Sequence, residues 1–380
     1  MPIRRSGRPQ SEYLNNSARV ITVFVALAAW GCAQPSAPQT APAPRFYTGK
    51  SYGSEAQFNP LTEILNEGFD ITQTNDQDRH VFRRNYAVGA ANVWRSVWHA
   101  DETYRFYGYR RALVNEWLPL TAPNNNGGGA WVPNYEYHLV GSGMVFVRMK
   151  EWYEQHGMPH PELLSFATMM TAHYTNEILE NGLSKLPNED ATTDLLIFDM
   201  GGMAIWRIGA VQRFFSGPVE LTNWPGQPSI DVNSGTLQNA AQQFVLRVSL
   251  PHSQRWKVFY DFGMSSLLGL SYKRAGGDAL SVAVGTDAVA NPVVDPRTGA
   301  KGATLAFKAG MFYDRNGSLL ASVQAGSRSD NAVFNVNVYP GVARLGGLRP
   351  GLWLQVPRTG GIRFGVASRW GFGLGHGPEH

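Results

Sequence analysis

From about residue 242 onward, apolar and polar positions alternate. Phe244, Leu246, Val248 and Leu250 alternate with Gln243, Arg247 and Ser249. Trp256, Val258, Tyr260 and Phe262 alternate with Lys257, Asp261 and Gly263, and Leu280, Val282 and Val284 with Ser281, Ala283 and Gly285. Further rows run from Leu305 through Phe307, Ala309, Met311 and Tyr313, and through Phe334, Val336 and Val338 opposite Asn335 and Asn337. A last row, Ile362, Phe364, Val366, Trp370 and Phe372, alternates with Gly361, Arg363, Gly365, Ala367, Arg369 and Gly371. Period two predicts strands with one apolar face. Turn signals at Ala275–Asp278, Asp314–Gly317, Arg328–Asn331 and Arg358–Gly361 separate them and predict eight or nine antiparallel strands.

Residues 80–215 have a helical period and many aromatics, among them Trp94, Trp98, Tyr104, Phe106, Tyr107, Tyr109 and Trp117. Asn124–Gly129 is a loop. Pro161 opens a helix and Asn181-Gly182 closes it, because proline suits the first helical position. A second helical run, Ala191–Phe215, follows Pro187, and its Gly201-Gly202 permits close backbone approach at a cost of about 1 kcal/mol per glycine.

Ahead of both regions, Val20–Trp30 is an uncharged apolar run preceded by Arg4, Arg5, Arg8 and Arg19 and followed by Gly31 and Cys32, the single cysteine. The run is too short to span a bilayer, which needs roughly 20 residues, and reads as a secretory signal. Cys32 after it resembles a lipoprotein acylation site, although Trp30 and Ala29 depart from that pattern. Ala33–Pro44 contains four prolines and reads as an extended tether. Residues 1–31 hold four Arg and one Glu, so the rest of the chain carries a net charge of +1 against +4 overall. That near-neutral remainder argues against nucleic acid as a partner. One cysteine excludes an internal disulfide. Low charge (16%) with 41 glycines and 12% aromatics fits a β-rich envelope protein.

The expected fold is therefore α+β: signal 1–31, lipidated cysteine and tether 32–50, helical aromatic-rich region 51–235, and antiparallel β-region 236–380. The alternating rows suit two architectures. A soluble sandwich turns the apolar face inward, whereas a membrane barrel turns it to lipid. The opposite face is rich in Gly, Ala and Ser, which favours the barrel, with Leu246 and Val336 among the lipid-facing positions. The terminal GHGPEH lacks the aromatic usual at the end of such barrels.

The densest polar cluster is His173, Glu177 and Glu180, at i, i+4 and i+7 on one helix face that Phe166 and Met170 extend. Asp190 and Asp194 follow at a spacing of four, and His138 lies upstream. Imidazole and carboxylates on an apolar stripe suit a divalent metal or an acid–base pair, so His173, Glu177, Glu180, Asp190 and Asp194 are the candidate catalytic residues. The plainer alternative is a buried polar network fixing helix packing, with Arg247 or Arg369 as partners. Glu177 and Glu180 are expected to be buried either way. His156 and His160 flank a turn and are expected to be solvated. No known cofactor motif occurs, and no cofactor is expected; Asp199-Met-Gly-Gly is too short to mean nucleotide binding.

Tyr135–Trp206, with His138, Gly141, Gly143, Arg148, Glu177, Glu180, Pro187, Asp190, Asp194 and Gly201, resembles an uncharacterised family of bacterial envelope proteins. The resemblance implies short helices joined to an outer-membrane-type β-region, and it implies no reaction. The expectation is an outer-membrane protein, anchored in lipid through acylated Cys32, that is structural or binds or passes a hydrophobic molecule. The alternatives are an enzyme acting on envelope lipid or glycan, and a soluble periplasmic binding protein.

Overall fold

A computed structural model describes residues 44–73, 79–118, 131–181, 186–294, 301–327 and 332–377. The signal, Cys32, most of the tether, the Asn124–Gly129 loop, Gly182 and the Arg328–Asn331 turn lie outside the described residues.

Helices occupy the first half: α1 (Pro60–Phe69), α2 (Tyr86–Trp98), α3 (Ala100–Tyr107), α4 (Gly143–Gln155), α5 (Pro161–Asn181), α6 (Glu189–Thr193), α7 (Met200–Ile205) and α8 (Gly209–Ser216). Three π-helical segments occur among the described residues; Leu113–Trp117 comes earlier in the chain, and two, a first at Trp131–Ser142 and a second at Asp194–Asp199, lead into α4 and α7. α5 has the expected bounds, starting at Pro161. α1 forms because Asn59 caps it, accepting from the Thr62 N–H, and Pro60 takes the first position, where no donor is needed. The run expected over Ala191–Phe215 is divided into α6, a π segment, α7 and α8. Gly202 makes the close approach expected of it: a Cβ there would stand 2.9 Å from the His138 carbonyl oxygen.

Among the described residues, thirteen strands form one mixed sheet: β1 (Glu220–Asn223), β2 (Ser229–Asp231), β3 (Leu237–Gln238), β4 (Gln243–Ser249), β5 (Trp256–Gly263), β6 (Ser265–Lys273), β7 (Asp278–Val294), β8 (Lys301–Arg315), β9 (Ser318–Gly326), β10 (Phe334–Val338), β11 (Gly351–Val356), β12 (Arg363–Ala367) and β13 (Gly373–His376). The expected count of eight or nine was too low, and the sheet begins before residue 236, at Glu220. The order is β1-β4-β5-β6-β7-β8-β9-β10-β11-β12-β13-β2-β3, with two ends rather than a closed ladder. All pairs are antiparallel except β13–β2. The strands missed are too short to show a period, as β1, β2 and β3 are, or have a broken alternation. β6 places Leu267 and Leu268 side by side, and the last apolar row is two strands joined by a turn at Ser368–Gly371.

The two ends of this order belong to one hairpin. Glu220 faces Arg247 and Ser229 faces Gln238 in a single register. The backbone bonds from Trp224 to Gln243 and from Gly226 to Ala241 keep that register between the named strands.

Cross-strand pairing assembles one continuous apolar face: Leu246 beside Tyr260, then Leu268, Val284, Ala309 and Ala325. From β6 on it is largely open, with Leu280, Val282 and Val284 at 48%, 52% and 56% exposure. Ser281 and Ala283, pointing the other way, are at 0% and 5%. The polar face is the buried one, holding Asp261, Ser271, Asn337, Gln355 and Arg363. At β4–β5 the apolar face is covered instead. Phe244, Leu246, Val248, Tyr260 and Phe262 join Tyr137, Met144, Phe146, Met149 and Trp206 in the main core. Leu246 therefore faces the helices, contrary to expectation, and Val336 is half-buried. A Cβ at Gly141 would stand 2.5 Å from the Phe244 ring, so glycine lets the first π segment lie on the sheet.

Polar bonds tie the segment before α1 and α1 itself to the sheet. Gly53 N–H donates to Pro340 O (2.7 Å), Gln57 Nε2 to Ser368 O (3.0 Å) and Asn59 Nδ2 to Trp370 O (2.9 Å). No described helix is long and apolar enough to cross a membrane.

Candidate functional site

The site lies where α1, α5 and the two π segments meet. α1 contributes Glu63 and Glu67, one turn apart; α5 contributes His173 and Glu177. The first π segment contributes His138, and the second begins on Asp194 and ends on Asp199. π-helical geometry recurs at functional sites, and here it runs for 12 and 6 residues.

His173 stands between two carboxylates. Its Nε2 is 2.6 Å from Glu67 Oε1, and its Nδ1 pairs with Asp199 Oδ2. The other Asp199 oxygen lies 2.8 Å from His138 Nδ1, and His138 Nε2 is 3.6 Å from Asp194 Oδ2. The result is a chain of alternating acid and imidazole: Glu67, His173, Asp199, His138, Asp194. Ser142 Oγ donates to Glu67 Oε1 at 2.5 Å, and Gln242 Nε2 donates to Glu63. Glu67, Asp194, Asp199 and His173 are buried, while the His138 side chain is 12% exposed.

The charges are strongly perturbed. Burial drives the His173 ring toward neutrality, but Asp199 and Glu67 outweigh it and hold the ring protonated well above its ordinary range. Burial raises Asp199, yet His173 and His138 pull it down to about 2. Glu67 is also held below its ordinary value, because His173 and the bond from Ser142 outweigh burial. Glu63 and Asp194 go the other way. Burial and then Glu67 raise Glu63; burial, then Asp190 and Glu177, raise Asp194, both well above the usual carboxylate range.

Of the candidates read from sequence, His173, Asp194 and His138 come together, and Glu177 is buried close enough to raise Asp194. Asp190 is half-buried at the margin. Glu180 is exposed rather than buried as expected, yet desolvation by its dense surroundings, then Asp190 and Asp70, raise it to about 8. The α1–α5 contacts run from Glu67–His173 to Asp70–Asn176, and Glu180 lies a turn beyond them. The arginines expected as partners are elsewhere: Arg247 pairs with Asp314, and Arg369 is exposed. Glu63, Glu67 and Asp199 were not anticipated. The signal for the first two was available in Asn59-Pro60, a helix start, followed by two acids four apart. His156 is exposed and stacks on Trp152.

Asp70, beside the site, offers a direct test of this electrostatic picture. It accepts from Tyr137 Oη and Asn176 Nδ2, both at 2.7 Å, and burial, with Glu67 nearby, pushes it up to about 7. The folded protein keeps this proton while the unfolded chain releases it near pH 4, so its contribution is full below that and is lost as pH rises to 7. Relative to wild type, Asp70→Asn should gain stability across this window, by up to about 4 kcal/mol. Urea unfolding of both proteins at pH 4.5 and pH 8 checks this, and a constant difference would contradict it.

No known protein family, curated protein or solved structure matches the chain.

Proposed function

We propose that this chain is an integral protein of the bacterial outer membrane, anchored additionally through Cys32, whose sheet wraps into a barrel with its apolar face toward lipid. One observation carries this reading: the sheet is inverted, with aliphatic and aromatic side chains open and serine, asparagine, glutamine and charged groups inside. A water-soluble sheet has the opposite arrangement. The single-register hairpin supports the wrapping, since β4 continues the sheet on one side while β2 meets β13 on the other. Exposed Trp94 and Trp98, stacked at 5.4 Å, suit a membrane–water boundary.

A structural role for the barrel follows more readily than passage. Trp224, Phe259, Leu267 and Phe312 pack on its inner face with no exposure, and Arg247 lies over the Trp224 ring at 5.0 Å. Unboiled protein should migrate differently from boiled protein on a gel and should need detergent for extraction after Cys32→Ser. Extraction by high-salt buffer alone would sink the proposal.

A second reading, an enzyme of envelope lipid or glycan, is favoured by the divergence of Asp194 and Asp199. Neighbouring carboxylates of opposite protonation are what acid–base catalysis requires. Turnover of such a substrate, lost in Asp194→Asn at unchanged fold, would establish it; inactivity toward both classes would remove it.

A further inference from the structure

We propose that the ring nitrogens of His138 and His173 that face Asp199, together with an Asp199 carboxylate oxygen, bind one divalent first-row transition metal ion, zinc foremost. One donor atom from each of these three residues lies within 4.8 Å of the others, a spacing that a single ion can bridge.

Three further observations support the site. First, the buried groups of the site bond mainly to one another. Both ring nitrogens of His173 are held only by the Glu67 and Asp199 carboxylates, and Asp194 Oδ1 accepts no hydrogen bond among the described residues. A divalent cation would displace the proton from His173, freeing the ring nitrogen that faces Asp199 to coordinate, and would give the buried acids a positive partner. Second, the remaining ring nitrogen of each histidine faces a carboxylate: Glu67 behind His173 and Asp194 behind His138. Metal-ligating histidines are oriented in this way, by an acid holding the far nitrogen. Third, positive charge is scarce here. Arg148 pairs with Glu55, Arg111 with Glu189 and Arg207 with Glu162, so that among the described ion pairs Glu67, Asp194 and Asp199 meet only histidine.

Two imidazoles and a carboxylate form the donor set of catalytic zinc, which leaves a fourth position for water. His138, the one partly exposed ligand, marks where that position meets solvent. The site rests on the helices alone, so it stands or falls separately from the membrane reading.

The test uses the full chain, purified in detergent and stripped with EDTA. Titration with Zn²⁺ alone, followed by desalting and metal analysis, should find about one tightly held equivalent. A His138→Gln/Asp199→Asn variant should lose at least 100-fold in affinity, with the fold checked by near-ultraviolet circular dichroism. Glu67→Gln, which keeps the ligands, should lose about 10–100-fold. His376→Ala/His380→Ala should bind as wild type does. Wild type that binds no zinc, or zinc lost only with the C-terminal histidines, would overturn the proposal. If the double variant fails to fold, the Glu67→Gln result decides, and unchanged affinity there would also overturn it.

Discussion

Arg148→Ala should destabilise the protein by about 3–5 kcal/mol, the usual cost of leaving one member of a buried ion pair without the other. Arg148 is 3% exposed and its Nη2 lies 2.6 Å from Glu55 Oε2. It also donates to Asn223 Oδ1 at 2.7 Å and sits 3.9 Å over the Phe58 ring. One guanidinium thus joins α4, the segment entering α1, and β1. Glu55 is also held by the backbone of Thr48 and Gly49, so its charge persists when the arginine is gone. Arg148→Lys should recover only part of the loss, because a single ammonium cannot make both forked contacts and the ring contact. Urea unfolding compared across the three proteins measures this. A cost below about 1 kcal/mol, the size of an exposed pair, would show that the contact is solvated.

Val282→Arg should hinder assembly by roughly 2–4 kcal/mol if Val282 lies near the midplane of a bilayer. The residue is 52% exposed in the middle of the paired length of β7, opposite Leu270 and Met311. The measurement is refolding into phospholipid vesicles, with Ala283→Arg as comparison. Ala283 points into the protein at 5% exposure and should fail for a different reason, in detergent as well as in lipid. The Val282 defect should be specific to lipid. In a water-exposed sheet, Val282→Arg would be neutral or improve solubility, so a variant that assembles normally would contradict the inverted sheet.

Some of this fold can be read directly from residue order. α5 is bounded by Pro161 and Asn181, and β4, β5, β7, β8 and β10 carry a two-residue period that survives the inward Val245, Phe259 and Phe312. β6, β9 and β11 escape because residues of both faces are apolar. Leu267 packs inward beside outward Leu268, and Trp353 is buried between half-exposed Leu352 and Leu354. Which apolar rows meet helices and which stay open is not a local property. Leu246 and Val284 both belong to alternating rows, and Leu246 is separated from Val284 by packing with residues distant in sequence, among them Tyr137, Met144 and Phe146. The site divides likewise. Spacing within α5 places His173 with Glu177, but it cannot reveal Glu67, brought in from α1, or Asp199, placed by a π turn that no periodicity announces.

The parallel contact of β2 with β13 bears on the order of events when the chain assembles. Every other neighbour pair from β4 to β13 follows directly in sequence and can form as a hairpin. Ser229–Asp231 must wait for Gly373–Gly375, the last strand of all. Contacts between segments so far apart close slowly, because the intervening chain has to be ordered first. Until then the hairpin of β1 to β4 has an unsatisfied edge, an open seam of only three residue pairs. A chain shortened by its last strand would therefore keep most of its pairings and still leave that edge available to any other strand.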